Sequence, residues 1–183
     1  MHPIIYDVAV SADGFIADTQ GRAHMFPAEG AHVAAYMGRL AGYRIALMGT
    51  HTYTFGYQFG LTPGANPYPH MTSILVSRSL KLPAGAEVTR WRDGLEQRTR
   101  ALKAGAEGPI YLCGGGHLAG QLLTAGLIDR LIVKRAPVLI GAGIPLFAGV
   151  AAPVALTRTE GTTYGNGVAL ECFDVGPVMP APS

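Results

Sequence analysis

Charge is scarce in this sequence. Of its 183 residues 14% are Asp, Glu, Lys or Arg, while 49% are hydrophobic; an average globular domain carries roughly 25% charged residues. That balance excludes disorder, because chains that stay unfolded are rich in charge and poor in apolar side chains. Neither sign dominates: the formal net charge is +2 with no Lys/Arg block, which leaves no electrostatic footprint for nucleic acid or an anionic membrane. Cysteine is nearly absent. Cys113 and Cys172 each sit in an apolar run, and two lone thiols cannot build the disulfide framework of a small secreted protein, so reduced, buried cysteines are expected. Long hydrophobic runs are missing too. The stretch Ile4 to Val10 has no basic segment before it and is far shorter than the roughly 18 to 20 residues of a membrane span. The expectation is a soluble, cytoplasmic protein. No H-E-x-x-H, Cys/His cluster or G-x-S-x-G is present, so no metal centre and no serine nucleophile are expected.

The length fits one domain with one core. Ile4 to Val10 reads as a buried strand running into the turn-forming Ser11-Ala12-Asp13-Gly14. Glu29 to Leu40 has apolar residues at helical spacing, with Gly42 as a stop. Ile45 to Met48 and Ser73 to Val76 read as buried parallel strands, separated by a loop over Phe55 to His70 with three glycines and three prolines. Glu87 to Trp91 is a weak strand, Leu95 to Ala104 a helix, Ile110 to Cys113 a strand and Leu118 to Ala125 a helix. Leu131 to Ile140 reads as one long strand whose Pro137 suits an edge or a bulge. Ala155 to Glu160 and Val168 to Phe173 form a closing hairpin, and the tail from Gly176 is expected to fray. Alternating strands and helices with an antiparallel finish imply an α/β fold: a mainly parallel central sheet, flanking helices on both faces and a C-terminal hairpin.

The strongest chemical signal is Gly114-Gly115-Gly116-His117-Leu118-Ala119-Gly120. It follows a buried strand and opens a helix, where free N–H groups and the positive helix end attract a pyrophosphate. Close helix packing is the bland alternative, although three glycines exceed what a turn needs. A Rossmann domain is excluded: the ribose-binding acid about 20 residues on is replaced by Lys134 and Arg135, and the motif comes late in the chain. Gly49-Thr50-His51-Thr52-Tyr53 offers hydroxyls and a helix start after the second apolar strand. Ser77-Arg78-Ser79 offers a guanidinium flanked by hydroxyls, suited to the 2′-phosphate that separates NADPH from NADH. Three such segments after successive strands are where ligands collect in open α/β sheets.

Together these segments resemble the dihydrofolate-reductase-like superfamily, in particular the reductase domain of bacterial riboflavin biosynthesis. The opening Val10-Ser11-Ala12-Asp13-Gly14-Phe15-Ile16-Ala17 is similar to that family's Ser-Leu-Asp-Gly-x-Ile-Ala, and Leu47 to Tyr53 to its Gly-Arg-x-Thr-Tyr. Leu75-Val76-Ser77-Arg78, Gly114-Gly115-Gly116 and Gly141-Ala142-Gly143-Ile144-Pro145-Leu146-Phe147 resemble its cofactor-specificity strand end, phosphate loop and Gly-x-Gly-x-Pro-Leu-Phe segment. The resemblance implies hydride transfer from NADPH to a small pyrimidine-like or pterin-like heterocycle. On that reading Ala9, Asp13, Gly14 and Ile16 shape the nicotinamide and substrate pocket. Gly49, Thr50, Thr52, Gly115, Gly116, His117 and Leu118 hold the pyrophosphate, and Ser77 and Arg78 take the 2′-phosphate. Asp13 and Glu29 are the acids nearest the chemistry, Glu29 being expected at the start of the first helix. Thr50 stands where the motif has a basic residue, which favours the alternative of a nucleotide-binding protein without turnover. The deaminase motifs H-x-E and P-C-x-x-C do not occur. A homodimer is expected, with Leu131 to Ile140 near its interface.

Overall fold

The computed structural model describes residues 1–179. The continuous apolar runs become parallel strands because both faces of the sheet are covered. These are β1 (Ile4–Val10), β3 (Ile45–Gly49), β4 (Thr72–Val76), β6 (Ile110–Gly114) and β7 (Arg130–Arg135), with the short β5 (Thr89–Trp91) at one edge. Between them lie α1 (Ala31–Leu40), α2 (Thr50–Phe55), α3 (Leu95–Gly105) and α4 (Gly116–Thr124). The hairpin β9 (Val154–Thr163) and β10 (Ala169–Val178) closes the eight-stranded sheet, whose order is β5-β4-β3-β6-β1-β7-β10-β9. All pairings from β5 to β7 are parallel, and β10 and β9 add antiparallel. A second, two-stranded sheet pairs β2 (Phe15–Asp18) with β8 (Gly143–Pro145).

Side chains alternate across a strand, and here the alternation sorts the molecule into two cores. On β1, Ile4, Tyr6 and Val10 join Leu118, Leu122 and their neighbours under α3 and α4. Ile5 faces the other way, into a core with Leu40, Tyr43 and Tyr53 under α1 and α2. Asp7 and Ala9 share the face of Ile5 by the same period.

Three expectations need correction. The strand expected over Leu131 to Ile140 ends at Arg135, and β7 is interior, hydrogen-bonded to β1 and β10. An interior strand needs N–H groups along both edges, which Pro137 cannot supply. Leu131, Ile132 and Val133 are buried within the fold, whereas Leu139, beyond the strand, is 75% exposed. The segment Phe55 to His70 is not plain loop: it holds the end of α2, a 3-10 turn over Gly56–Phe59, and a polar clasp. In that clasp the Gly64 N–H donates to Tyr53 Oη (2.8 Å) and Ser73 Oγ to Asn66 Oδ1 (2.6 Å). Finally, β10 runs on through Gly176 and Pro177, with a register shift between Val175 and Val178 accommodating the proline, and Met179 N–H donates to the Pro153 carbonyl. The rest of the expected fraying tail, 180–183, lies outside the described residues.

Candidate functional site

The carboxyl ends of the central strands bring the sequence motifs together. Gly49 ends β3 and is the N-cap of α2; its vacant Cβ position lies 3.9 Å from both the Gly114 carbonyl oxygen and Leu118 Cβ. Gly114 ends β6 with φ at +123°, a region glycine tolerates. The next residue, Gly115, is the N-cap of α4 and no side chain caps that helix. The vacant Cβ positions of Gly115 and Gly114 lie 3.6 and 3.9 Å from Thr52 Oγ1. One strand further out, Thr50 Oγ1 donates to Ser77 Oγ at 2.8 Å, and Ser77 Oγ also accepts the Leu80 N–H at 3.0 Å. Arg78 is exposed beside this pair, and His117 is exposed on the first turn of α4. The geometry therefore joins Gly49, Thr50, Thr52, Ser77, Gly115 and Leu118 along one edge, at an uncapped helix start with donors turned outward.

Gly116 has a different explanation. A Cβ there would collide with the Pro145 carbonyl, as one at Gly120 would with the Ala148 carbonyl, and Ala148 N–H donates to the Gly116 carbonyl at 3.0 Å. These glycines, one helical turn apart, let α4 lie against the backbone of the end of β8 and of the segment after it. Packing against the Pro145 carbonyl accounts for the lack of a side chain at the third glycine of the run.

The two acids expected near the chemistry, Asp13 and Glu29, differ in their surroundings. The Asp13 carboxylate accepts the Ser11 hydroxyl and the Ile140 and Gly141 N–H groups, the last at 2.7 Å. These donors hold its carboxyl down at about 2, so it is ionised and clasps two loops together. Gly14 and Ile16 serve the same region: the Gly14 carbonyl accepts Leu146 N–H at 3.0 Å, and Ile16 lies on β2 against the α3/α4 core. Glu29 is exposed and precedes Gly30, the N-cap of α1, so it lies outside the helix. Its backbone carbonyl accepts Asn166 Nδ2 (3.4 Å), and among the described residues its carboxylate has no partner.

A cleft of about 180 Å³ opens instead between β1, β7 and α1. Phe26, Pro27, Val33, Ala136 and Val168 make apolar walls, Ala9 lies near the end of β1, and His32, Tyr36 and Lys134 complete the lining. Ala9 pairs in register with Lys134 on β7. Lys134 is 8% exposed, and its ammonium lies 2.9 Å from Asp7 Oδ1 and 3.6 Å from the centre of the Tyr36 ring. Asp7 is 1% exposed and also takes Arg39 Nε (2.7 Å), a second Arg39 nitrogen (3.2 Å) and the Tyr43 hydroxyl (3.2 Å). Behind them the Tyr36 hydroxyl meets that of Tyr111 at 2.9 Å, and Tyr68 Oη lies 3.2 Å from Cys113 Sγ. Burial pushes the Tyr36 phenol up to about 12 and the Cys113 thiol upward. It pushes the Lys134 ammonium down, against the opposing pull of Asp7. The sequence carried one sign of this cluster: Asp7 is a charge inside an otherwise apolar strand, where burial demands a partner.

Relatives share this architecture. The chain is 30% identical over 165 residues to Bacillus subtilis YwjB, covering 89% of this chain and 92% of that protein. Among solved structures, a protein of Shewanella sp. PV-4 named for riboflavin biosynthesis superposes with a TM-score of 0.77 at 24% identity, over 97% of this chain and 100% of that one. A pyrimidine reductase-like protein of Corynebacterium diphtheriae gives 0.71 at 16% identity, over 94% of this chain and 91% of that one. The diaminohydroxyphosphoribosylaminopyrimidine deaminase/5-amino-6-(5-phosphoribosylamino)uracil reductase of Thermotoga maritima gives 0.69 at 15% identity, covering 95% of this chain and 56% of that longer one. The fold is thus the dihydrofolate-reductase-like one that the motifs imply. With residues 3–170 matching the RibD C-terminal domain, the chain belongs to that family.

Proposed function

We propose that this protein is an NADPH-dependent reductase of a small pyrimidine-like or pterin-like heterocycle. The observation that carries the reading is the convergence of three segments at one sheet edge. They are the uncapped start of α4 at Gly115, the Gly49-Thr50-His51-Thr52 turn and the Ser77–Arg78 strand end. The residues fit a dinucleotide. Free N–H groups at Gly115 to Leu118 and the Thr52 hydroxyl suit a pyrophosphate, and the exposed Arg78 guanidinium suits a phosphate monoester. Bound there, the nicotinamide supplies a hydride, and the chain's own contribution is positioning and exclusion of water. The apolar walls of the cleft beside Ala9 hold a flat ring and keep solvent from it. Thr50 is engaged by Ser77, so the basic residue usual at its place is replaced by a hydroxyl pair that braces the neighbouring strand end.

Titration of the protein with NADPH, followed by cofactor fluorescence, tests this. NADPH should bind tighter than NADH, and Arg78→Ala should weaken NADPH by about tenfold or more, as loss of a charge-assisted phosphate contact does, while leaving NADH unchanged. Equal weak binding of both nucleotides, or none, would overturn the reading. A homodimer is part of the proposal, and a dimeric mass in light scattering is the expected result.

A further inference from the structure

We infer that His32 and Asn166 form a pH-sensitive latch. With His32 neutral it ties the start of α1 to the turn between β9 and β10 and holds one wall of the cleft in place, and a proton on His32 releases it. The use of that wall in a reaction rests on the reductase reading; the latch and its test do not.

His32 is a buried polar side chain on the first turn of α1, 6% exposed. Both of its ring nitrogens are engaged: Nε2 lies 3.0 Å from the Pro27 carbonyl oxygen, and Nδ1 lies 3.1 Å from Asn166 Nδ2. A carbonyl only accepts, so Nε2 carries the hydrogen. Two further contacts orient the Asn166 amide: its Oδ1 accepts the Val168 N–H (3.3 Å), and its Nδ2 donates to the Glu29 carbonyl (3.4 Å). The amide therefore turns an N–H onto the ring, and Nδ1 must accept it. Only the neutral ring satisfies both neighbours. A second proton sets an Nδ1–H against the amide N–H, and rotating the amide to answer it gives up Val168 and Glu29 together. Gly30 leaves room for the latch, its vacant Cβ position lying 3.2 Å from Asn166 Nδ2 and 3.3 Å from His32 Nδ1. Asn166 is exposed, so a proton reaches the ring from solvent at the latch itself.

The surroundings do not rescue the charged ring. Tyr164 of the hairpin faces it, with ring centres 5.9 Å apart, and Tyr36 and Lys134 share the cleft lining with it. Lys134 already brings a positive charge there, and its partner Asp7 is shared with Arg39. The Glu29 carboxylate, three residues before His32, is exposed, where water and salt screen it. Neither acid stands ready to offset an imidazolium. Pro27, His32 and Val168 all line the cleft, and the latch joins the three, so its release loosens that wall.

Hydrogen–deuterium exchange of the ligand-free protein tests the latch, read at about pH 8 and about pH 5.5, either side of the range in which histidine changes charge, with rates corrected for the pH dependence of the chemical step. In the wild type, protection at the Val168 amide, which donates to Asn166, and at the Val33 amide, which donates to the Gly30 carbonyl, should fall about tenfold on acidification, as loss of a buried hydrogen bond allows local opening. The Leu122 amide in α4 should keep its protection. Asn166→Asp puts a carboxylate where the amide N–H was; it accepts an Nδ1–H and still receives Val168, so the trend should reverse, with protection at Val168 greater at the lower pH. His32→Gln should remove the pH dependence. Equal protection at the two pH values in the wild type, a fall shared by Leu122, or the wild-type trend persisting in Asn166→Asp or in folded His32→Gln would each overturn the inference. Should His32→Gln fail to fold, the wild type and Asn166→Asp, a change at an exposed turn, still decide it. Failure of NADPH to bind would sink the reductase reading and leave this result standing.

Discussion

The two faces of the sheet are built on opposite terms. Under α3 and α4 the strands meet Leu118, Ala119, Leu122, Leu123 and Leu127, with Tyr6 and, on α3, Thr99 and the Lys103–Asp129 pair as polar intrusions at its margin. Under α1 and α2 the same strands carry Asp7 and Lys134, answered by Arg39, Tyr43 and the Tyr36–Tyr111 hydroxyl pair. An apolar face is stabilised by area and close packing, and each residue contributes almost independently. A face of buried ions gains little net stability, because desolvation offsets attraction, yet losing one member leaves its partners stranded. The first face holds the molecule together. The second carries the cleft, and its polar cost falls where a ligand is expected to touch.

Breaking the ionic face should have the largest effect. Asp7→Ala leaves the buried Lys134 and the half-buried Arg39 without a carboxylate and should cost about 3–5 kcal/mol in urea unfolding. Adding Lys134→Met to it should recover part of that loss, a coupling of about 1–3 kcal/mol; strict additivity would refute the cluster as a unit. On the apolar face Leu122→Ala, at 0% exposure, should cost about 2–4 kcal/mol and add simply to Lys134→Met. Gly116→Ala forces a methyl against the Pro145 carbonyl and should lower stability by about 1–3 kcal/mol, visible as a lower Tm.

The smallest effect lies at the clasp between the loops. The folded Asp13 carboxyl lies at about 2, below its ordinary 3.8. The folded state therefore favours the ionised form, and this contribution is present in full above the ordinary value and is lost as pH falls from near 4 towards 2. Asp13→Asn should remove that part of the acid dependence. It should also speed hydrogen exchange at the Ile140 and Gly141 amides, with the Ile132 amide in β7 unaffected; unchanged exchange at Ile140 and Gly141 would refute the clasp.

Most strands and helices were legible because their signals are local. Ile4–Val10 came out as β1, and Ile110 to Cys113 and Leu95 to Ala104 match β6 and α3 to within a residue. The short β2 and β8 were not, since each is stabilised by a partner more than a hundred residues away. Of the candidate site, the glycine and hydroxyl segments were legible from their turn chemistry. The roles of Asp13, Glu29 and Gly116 were not, because each depends on what lies opposite: Ile140 and Gly141, open solvent, and the Pro145 carbonyl.

By itself the sequence determined the class of fold and most of its elements, through apolar periodicity, and five ordered motifs carried the resemblance to the family. Only the tertiary structure decided that Asp7 and Lys134, 127 positions apart in the chain, share one face of two neighbouring strands and floor a cleft. Register and strand order are set by pairing across the whole sheet, and a buried charge acquires its meaning only from the partner that the fold brings to it.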